Sequence, residues 1–264
     1  MTMAGAEGTK ESAAKGAAKS AEREEPGVLP QNTDRADFSS LISQKTHKYG
    51  DRVSIMPLRI RDKAAPPPVI DVVVDPQGML ANYRKIFRIF RKYNIVDFAR
   101  LQDELTYRDV LMACSHAFLY IAEANPKEDP ENAVTAENVT LTFFRWPKPE
   151  KLFLEMTAKG KLNADAEKGI YHVEGIADFP IQIVITSELE GPENTCYRAM
   201  TDHAQREDVE QIIRDTLGET DAVMRGYYRD LLACIGAHNL TLMGEIMEDQ
   251  AMNAAMLEIY KDLL

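Results

Sequence analysis

Two stretches decide how this chain reads: Pro68-Val69-Ile70-Asp71-Val72-Val73-Val74-Asp75, and further on Asn94-Ile95-Val96-Asp97-Phe98-Ala99-Arg100. Both are short runs of β-branched and aromatic residues, the composition of strands, and near-continuous apolar runs belong to strands covered on both faces. Each run carries one carboxylate, Asp71 or Asp97, among side chains that exclude water. An ionised carboxylate there is costly unless a metal ion or a partner cation balances it. Side chains alternate along a strand with period two, so the residue on the same face as Asp97 and two positions on is Ala99.

The elements around these strands follow from periodicity and punctuation. Phe38–Ile42 suggests a short helix. Arg52–Asp62 alternates apolar and polar residues through Val53, Ile55, Leu58 and Ile60, predicting a strand paired with the Asp71 strand. Ala64-Ala65-Pro66-Pro67-Pro68 between them is a stiff connector. Between the two acid-bearing strands, Gly78 precedes a helix predicted from Met79 to about Lys92, with Leu80, Tyr83, Ile86, Phe87 and Phe90 on its apolar face. A helix over Leu105–Ala124 should turn Val110, Leu111, Ala113, Ala117, Phe118 and Ile121 to one side. Asn125–Glu137 reads as a loop, Val139–Phe144 as a strand and Pro149–Lys159 as a helix ending at Gly160. Ile170–Gly175 and Ile181–Thr186 are strands joined by a turn at Asp178 to Pro180. Trp146 should pack at a strand end, and from Thr201 onward the spacing is helical throughout.

Composition narrows the function classes. The 264 residues carry 31 basic and 42 acidic side chains, a formal charge of −11, which argues against a generic polyanion binder. Arg206–Leu264 alone holds 12 acidic and 5 basic residues, or −7. Cys114, Cys196 and Cys234 are far apart, which excludes a thiol–metal motif or disulfide framework and suits a reducing cytoplasm. The first residues lack the order of a signal peptide, and no apolar run approaches the ~18–20 residues a membrane helix needs. Residues 1–36 hold almost no large apolar side chains and are expected to form a disordered tail. The expected organisation is therefore this tail, an α/β domain over 37–200, and an acidic helical extension over 201–264. His47, His116, His172, His203 and His238 are scattered, and no phosphate-loop, dinucleotide or serine-elbow motif is present.

A strand, an Asp-bearing strand, an acid-bearing strand, a long helix and a further strand make up the minimal core of PD-(D/E)XK nucleases, the restriction-endonuclease-like fold. More narrowly, residues 69–200 resemble a group of bacterial PD-(D/E)XK-like proteins related to transposase-associated nucleases. The resemblance is carried by Ile70-Asp71-Val72, Arg88-Ile89-Phe90-Arg91, Asn94 to Ala99, Leu105 to Asp109 and Ala117-Phe118-Leu119-Tyr120. Val139 to Phe143, Gly169 to Gly175 and Phe179 to Thr186 continue it. It implies a mixed sheet flanked by helices, with Asp71 and Asp97 as catalytic residues and as ligands of Mg²⁺, which polarises a phosphodiester and activates water. The family Glu is here Asp97, and the family Lys is Ala99, which has no chemistry. Arg100 falls on the opposite face and is a poor proton-transfer group. In some members of the superfamily the Lys moves to a neighbouring element, a place that Lys85 or Lys92 would take here.

The helix expected over Met79–Lys92 carries Arg84, Lys85, Arg88, Arg91 and Lys92 and no acid. Arg84, Arg88 and Arg91 would share a face, either as a stripe contacting DNA phosphates or as a solvated surface paired with the acidic C-terminal helices. Three functions follow. The leading one is a degenerate nuclease-like protein that binds nucleic acid or a partner without robust cleavage. The first rival is an active Mg²⁺-dependent DNase of mobile-element origin. The second is a protein-interaction module, with a protein partner or a second copy held by the C-terminal helices.

Overall fold

The computed structural model describes residues 41–45, 47, 53–57, 59–60, 63–64, 69–74, 85–98, 104–124, 130, 133–165 and 167–261; of the side chains in the strands before residue 85, only that of Ser54 is described. The expected tail over 1–36, the proline connector, and the positions of Arg84, Ala99 and Arg100 lie outside the described residues.

The chain is α/β, built on a seven-stranded mixed sheet in the order β1-β4-β5-β6-β9-β8-β7, with a two-stranded β2-β3 hairpin beside it. Its strands are β1 (Val53–Pro57), β4 (Val69–Val74), β5 (Tyr93–Phe98), β6 (Val139–Arg145), β7 (Leu162–Ala164), β8 (Ile170–Val173) and β9 (Ile181–Ile185). The hairpin is β2 (Arg59–Ile60) with β3 (Lys63–Ala64). β1, β4 and β5 form an antiparallel meander, as the alternation over Arg52–Asp62 predicts. The chain then crosses through α1 (Tyr107–Glu123) to β6, which runs parallel to β5, and β9 continues parallel to β6. β8 and β7 close the other edge as antiparallel strands. β7 is a three-residue strand in Lys161-Leu162-Asn163-Ala164, too short to leave a period-two signal in the sequence.

One face of the sheet packs against α1 and α2 (Glu150–Ala158), with Tyr93, Ile95, Leu141, Phe143, Ile181, Ile183 and Ile185 buried among them. α1 begins with a reciprocal cap: the Thr106 hydroxyl accepts from the Asp109 N–H, and Asp109 Oδ2 accepts from the Thr106 N–H at 2.9 Å. It buries Val110, Ala113, Cys114 and Ala117, the i, i+3, i+4, i+7 face. Leu111 and Phe118, expected on that face, are exposed on α1's outer side.

The opposite face is covered by the helices that follow the sheet: α3 (Thr195–Ala199), α4 (Arg206–Gly218), α5 (Ala222–His238), α6 (Leu240–Glu248) and α7 (Gln250–Tyr260). Ile212, Ile213, Leu231, Leu232 and Ile259 from these helices form one buried cluster with Val96, Phe98, Phe144 and Val184 of the strands and Leu41 and Ile42 of the helical turn 41–45. The helical segment therefore supplies half of the sheet's cover. Among the described residues no helix is long and apolar enough to cross a membrane.

The segment between the acid-bearing strands departs from expectation. Among the described residues it is a 3₁₀ helix over Lys85–Ile89 that ends before Arg91, and the strand begins at Tyr93. Three residues per turn place residues i and i+3 in line. Phe87 and Phe90 are buried with rings 4.9 Å apart, while Lys85 and Arg88 line up on the exposed side. Arg91 lies past the end of this helix, so helical spacing does not relate it to Arg88, and Arg84 of the expected stripe lies outside the described residues.

Candidate site at the carboxyl edge of the sheet

The three parallel strands β5, β6 and β9 end together at Phe98, Arg145 and Ile185, and the carboxyl edge of such strands is where α/β proteins place their ligands. In the β4–β5 register Asp71 is opposite Ile95, and Asp97 is opposite Val69. Position 71 is therefore a diagonal cross-strand neighbour of Asp97.

Asp97 is already partnered. Arg145, the last residue of β6, donates from Nη2 to Asp97 Oδ1 at 2.9 Å. Its Nη1 donates to the backbone oxygens of Asp97 at 3.2 Å and Phe144 at 2.7 Å. The guanidinium lies 5.5 Å from the Phe143 ring centre. The Arg145 side chain is 7% exposed and that of Asp97 15%, so this is a largely buried ion pair, with Asp97 the more open partner. Its Nε is buried and has no acceptor among the described residues. Arg145 is the partner of Asp97 that motif reading passes over. Its signal is present in Phe143-Phe144-Arg145-Trp146-Pro147, where Arg145 is the one charged residue of the strand Val139–Arg145.

The residues present do not fit a metal centre built on Asp97. Its charge is balanced by a guanidinium that occupies one carboxylate oxygen, and no group of three or more His, Cys, Asp or Glu among the described residues could hold a metal ion. Neither of the two lysines expected to have moved, Lys85 and Lys92, stands beside it. Lys92 immediately precedes β5, five residues or about 16 Å of strand from Asp97. Lys85 lies on the segment docked to the opposite face.

A second charged group sits further along the same edge. Lys148 donates to the Tyr171 hydroxyl at 3.3 Å and lies 3.4 Å from Glu188, while the Tyr171 hydroxyl donates to Glu188 at 2.5 Å. Lys148 is 4.8 Å from the Phe153 ring centre and 5.0 Å from that of Tyr171. Burial works to lower the Lys148 pKa, but the bonds and charges of Tyr171 and Glu188 outweigh it and raise it, so the ammonium is a fixed cation, not a base. Burial, with the bond to Glu188, pushes the Tyr171 hydroxyl up as well. Trp146, just past β6, stacks on His203 at 4.7 Å.

The basic turn is held on the other face by a row of neutral polar groups. Asn94, Thr140, Thr142 and Gln182 are fully buried in the strands. Gln182 Nε2 donates to the Ile86 carbonyl at 2.8 Å and to the Thr142 hydroxyl at 3.1 Å. Asn94 accepts from the Arg91 N–H and donates to the Arg91 carbonyl, both at 2.7 Å, and accepts from Thr140 at 2.8 Å. This clamp turns Lys85 and Arg88 towards the β7–β8 turn. Lys85 pairs with Glu167, and Arg88 lies 3.9 Å from Asp165. Asp165 also bonds His172 Nε2 at 2.6 Å. Burial tends to raise the Asp165 pKa, but the His172 and Glu167 hydrogen bonds, with the charges of His172 and Arg88, hold it below the ordinary carboxyl range. The acids beside these two cations are thus in the β7–β8 turn, not in the C-terminal helices. A cleft of about 600 Å³ borders the turn, lined by Lys85, Glu167, Lys168, Leu189, Glu190 and Glu193, and Lys168 pairs there with Glu190 at 2.7 Å. Arg91 is exposed, and Lys92 is half-buried with its ammonium 5.4 Å from the Tyr93 ring centre.

Comparison of the chain with protein-family models, curated proteins and solved structures gives no match.

Proposed function

We propose that this chain is a PD-(D/E)XK-type scaffold that binds a nucleic acid or protein target without cleaving phosphodiesters. The fold assignment is supported by the strand order: an antiparallel meander carrying the two acids, a helical crossover, and a parallel strand. The loss of cleavage is carried by one observation, the hydrogen-bonded pairing of Asp97 with the buried Arg145. Metal-assisted hydrolysis needs a carboxylate whose oxygens are open to the ion and a cation that orients the attacking water. Asp97 meets a guanidinium instead, and Ala99 holds the lysine position. Three free cysteines, all buried, agree with a cytoplasmic setting.

The test is incubation of the purified protein with supercoiled plasmid in Mg²⁺ and in Mn²⁺, beside duplex binding at low and high salt. No nicking is expected in either metal. Nicking that Asp71→Ala abolishes would overturn the reading and restore the DNase. Binding that falls steeply with salt identifies phosphate contacts; binding to protein partners alone identifies the interaction module.

A further inference from the structure

We infer that the outer face of α1 is the interface of a symmetric dimer, in which two copies of this chain pack their α1 helices antiparallel about Ser115. This face shares no residue with the carboxyl edge of the sheet, so the dimer stands whether or not the non-cleaving reading does.

α1 buries Val110, Ala113, Cys114 and Ala117 against the sheet, yet its outer side is apolar too. Leu111, Met112, Phe118 and Leu119 are between 37% and 50% exposed. At about 100° of turn per residue, all four lie within about 60° of Ser115, as do Arg108 and Ala122. A contiguous exposed stripe of this kind marks an interaction surface. Its central polar group is already satisfied, because the Ser115 hydroxyl donates to the Leu111 carbonyl at 2.9 Å. Covering it strands no donor.

The pattern selects a second copy as the occupant. A two-fold axis at Ser115 sets Met112 beside Leu119 of the copy, and Leu111 beside Phe118 of the copy. Each pair is within one residue's rise, about 1.5 Å, of level. The same operation brings Arg108 beside Glu123 of the copy. Within one helix these two charges run against the dipole, a cation in the first turn and an anion in the last. An antiparallel partner gives each its opposite. Ser115 and Ala122 are small, which lets the helices approach closely. Seventeen residues make α1 about 25 Å long. One such helix pair covers less than the ~800 Å² per partner of a standard interface, so the dimer should form in the micromolar range.

Sedimentation of the full chain over a micromolar concentration series should show its mass doubling. Met112→Glu and Leu119→Lys, both at exposed positions, should each raise the dissociation constant roughly tenfold or more with melting unchanged. An equimolar mixture of the two variants should dimerise again, because the new charges meet across the axis. Ser115→Cys treated with diamide should cross-link to its own counterpart, whereas Lys151→Cys, exposed on α2, should not. The three native cysteines are buried and stay out of this reaction. A chain that stays monomeric throughout the series overturns the inference, even if the face takes up some other protein. So does a dimer that ignores both charges and does not cross-link at position 115, which would move the interface to another face, such as the C-terminal helices.

Discussion

The two faces of the central sheet solve the same problem, polar groups inside a core, in opposite ways. On the α1 face the described side chains inside the strands are apolar, and charge enters at the carboxyl edge, in the pair Asp97–Arg145 and, further along, around Lys148 and Glu188. On the face under the C-terminal helices no charge is buried in the strands among the described residues, yet Asn94, Thr140, Thr142 and Gln182 sit in the middle of them with no exposure at all. The first arrangement balances one charge against another. The second spends neutral donors and acceptors on the backbone of a single turn, fixing Ile86 and Arg91 against the sheet. The ion pair closes the carboxyl edge of the parallel strands, whereas the neutral row holds the turn that carries the basic side chains.

The largest effect should come from the charged face. Asp97→Ala leaves Arg145 buried without its carboxylate, and removing one partner of a buried pair costs about 3–5 kcal/mol. Urea unfolding should show a lower midpoint at unchanged slope. A loss under about 1 kcal/mol would mean that Nη1 and its two backbone oxygens hold Arg145 unaided, and the contrast between the faces would collapse.

Next comes the neutral face. Gln182→Ala strips the Ile86 carbonyl and the Thr142 hydroxyl of a buried donor and leaves a void, together about 3 kcal/mol. The distinguishing readout is local: amide exchange should quicken over 85–90 while β6 and α1 stay protected. Uniform quickening would show that Gln182 supports the whole core and not the turn in particular.

How much of this the sequence revealed differs between the faces for a physical reason. The meander, the crossover helix and the parallel strands leave period-two and 3.6-residue patterns, so the strands containing Asp71 and Asp97 are legible with ends shifted by a residue or two. An Asp in an apolar strand also announces its need for a cation. Which cation answers is a matter of register between β5 and β6, distant in sequence, and no local pattern encodes it. The neutral row is hidden more deeply. Thr140 and Thr142 are good strand formers, and Asn94 and Gln182 look like residues at solvent-facing positions of an alternating strand. The docking of the 85–89 turn and the cover of the C-terminal helices make them interior. The same docking explains why that segment is a short 3₁₀ helix: clamped at Ile86 and at Arg91, it has no room for another α-helical turn before β5.

Gly169 tests the frame that brings the acids to the basic turn. Its φ is +84°, and a Cβ there would meet the Ile185 carbonyl at 2.9 Å, while its own carbonyl accepts from the Ile185 N–H at 2.7 Å. Gly169→Ala should cost about 2 kcal/mol, from the left-handed backbone and the backbone clash together. The loss should appear in thermal melting and should also loosen the Lys85–Glu167 and Arg88–Asp165 pairs, raising exchange at 85–89 without touching Asp97.

The smallest effect at neutral pH, and the sharpest in its pH dependence, belongs to Asp165. Its pKa is held below the ordinary value by His172, the Glu167 N–H and Arg88 against the opposing pull of burial. A carboxyl depressed in the folded state adds stability that is fully present above its unfolded pKa of about 3.9 and is lost as pH falls through the lower folded value. The wild type should therefore lose stability below about pH 4 more steeply than Asp165→Asn, which has no proton to take up at that position. Above pH 5 the two should run parallel, separated by the lost bond to His172. The comparison is read from urea midpoints at half-unit steps between pH 6 and pH 2.5. Curves that keep a constant separation throughout would show that His172 and Arg88 do not bind the ionised carboxylate in solution. The basic turn would then present Arg88 as an uncommitted cation, and the stripe of phosphate contacts would regain the ground that the ion pair takes from it.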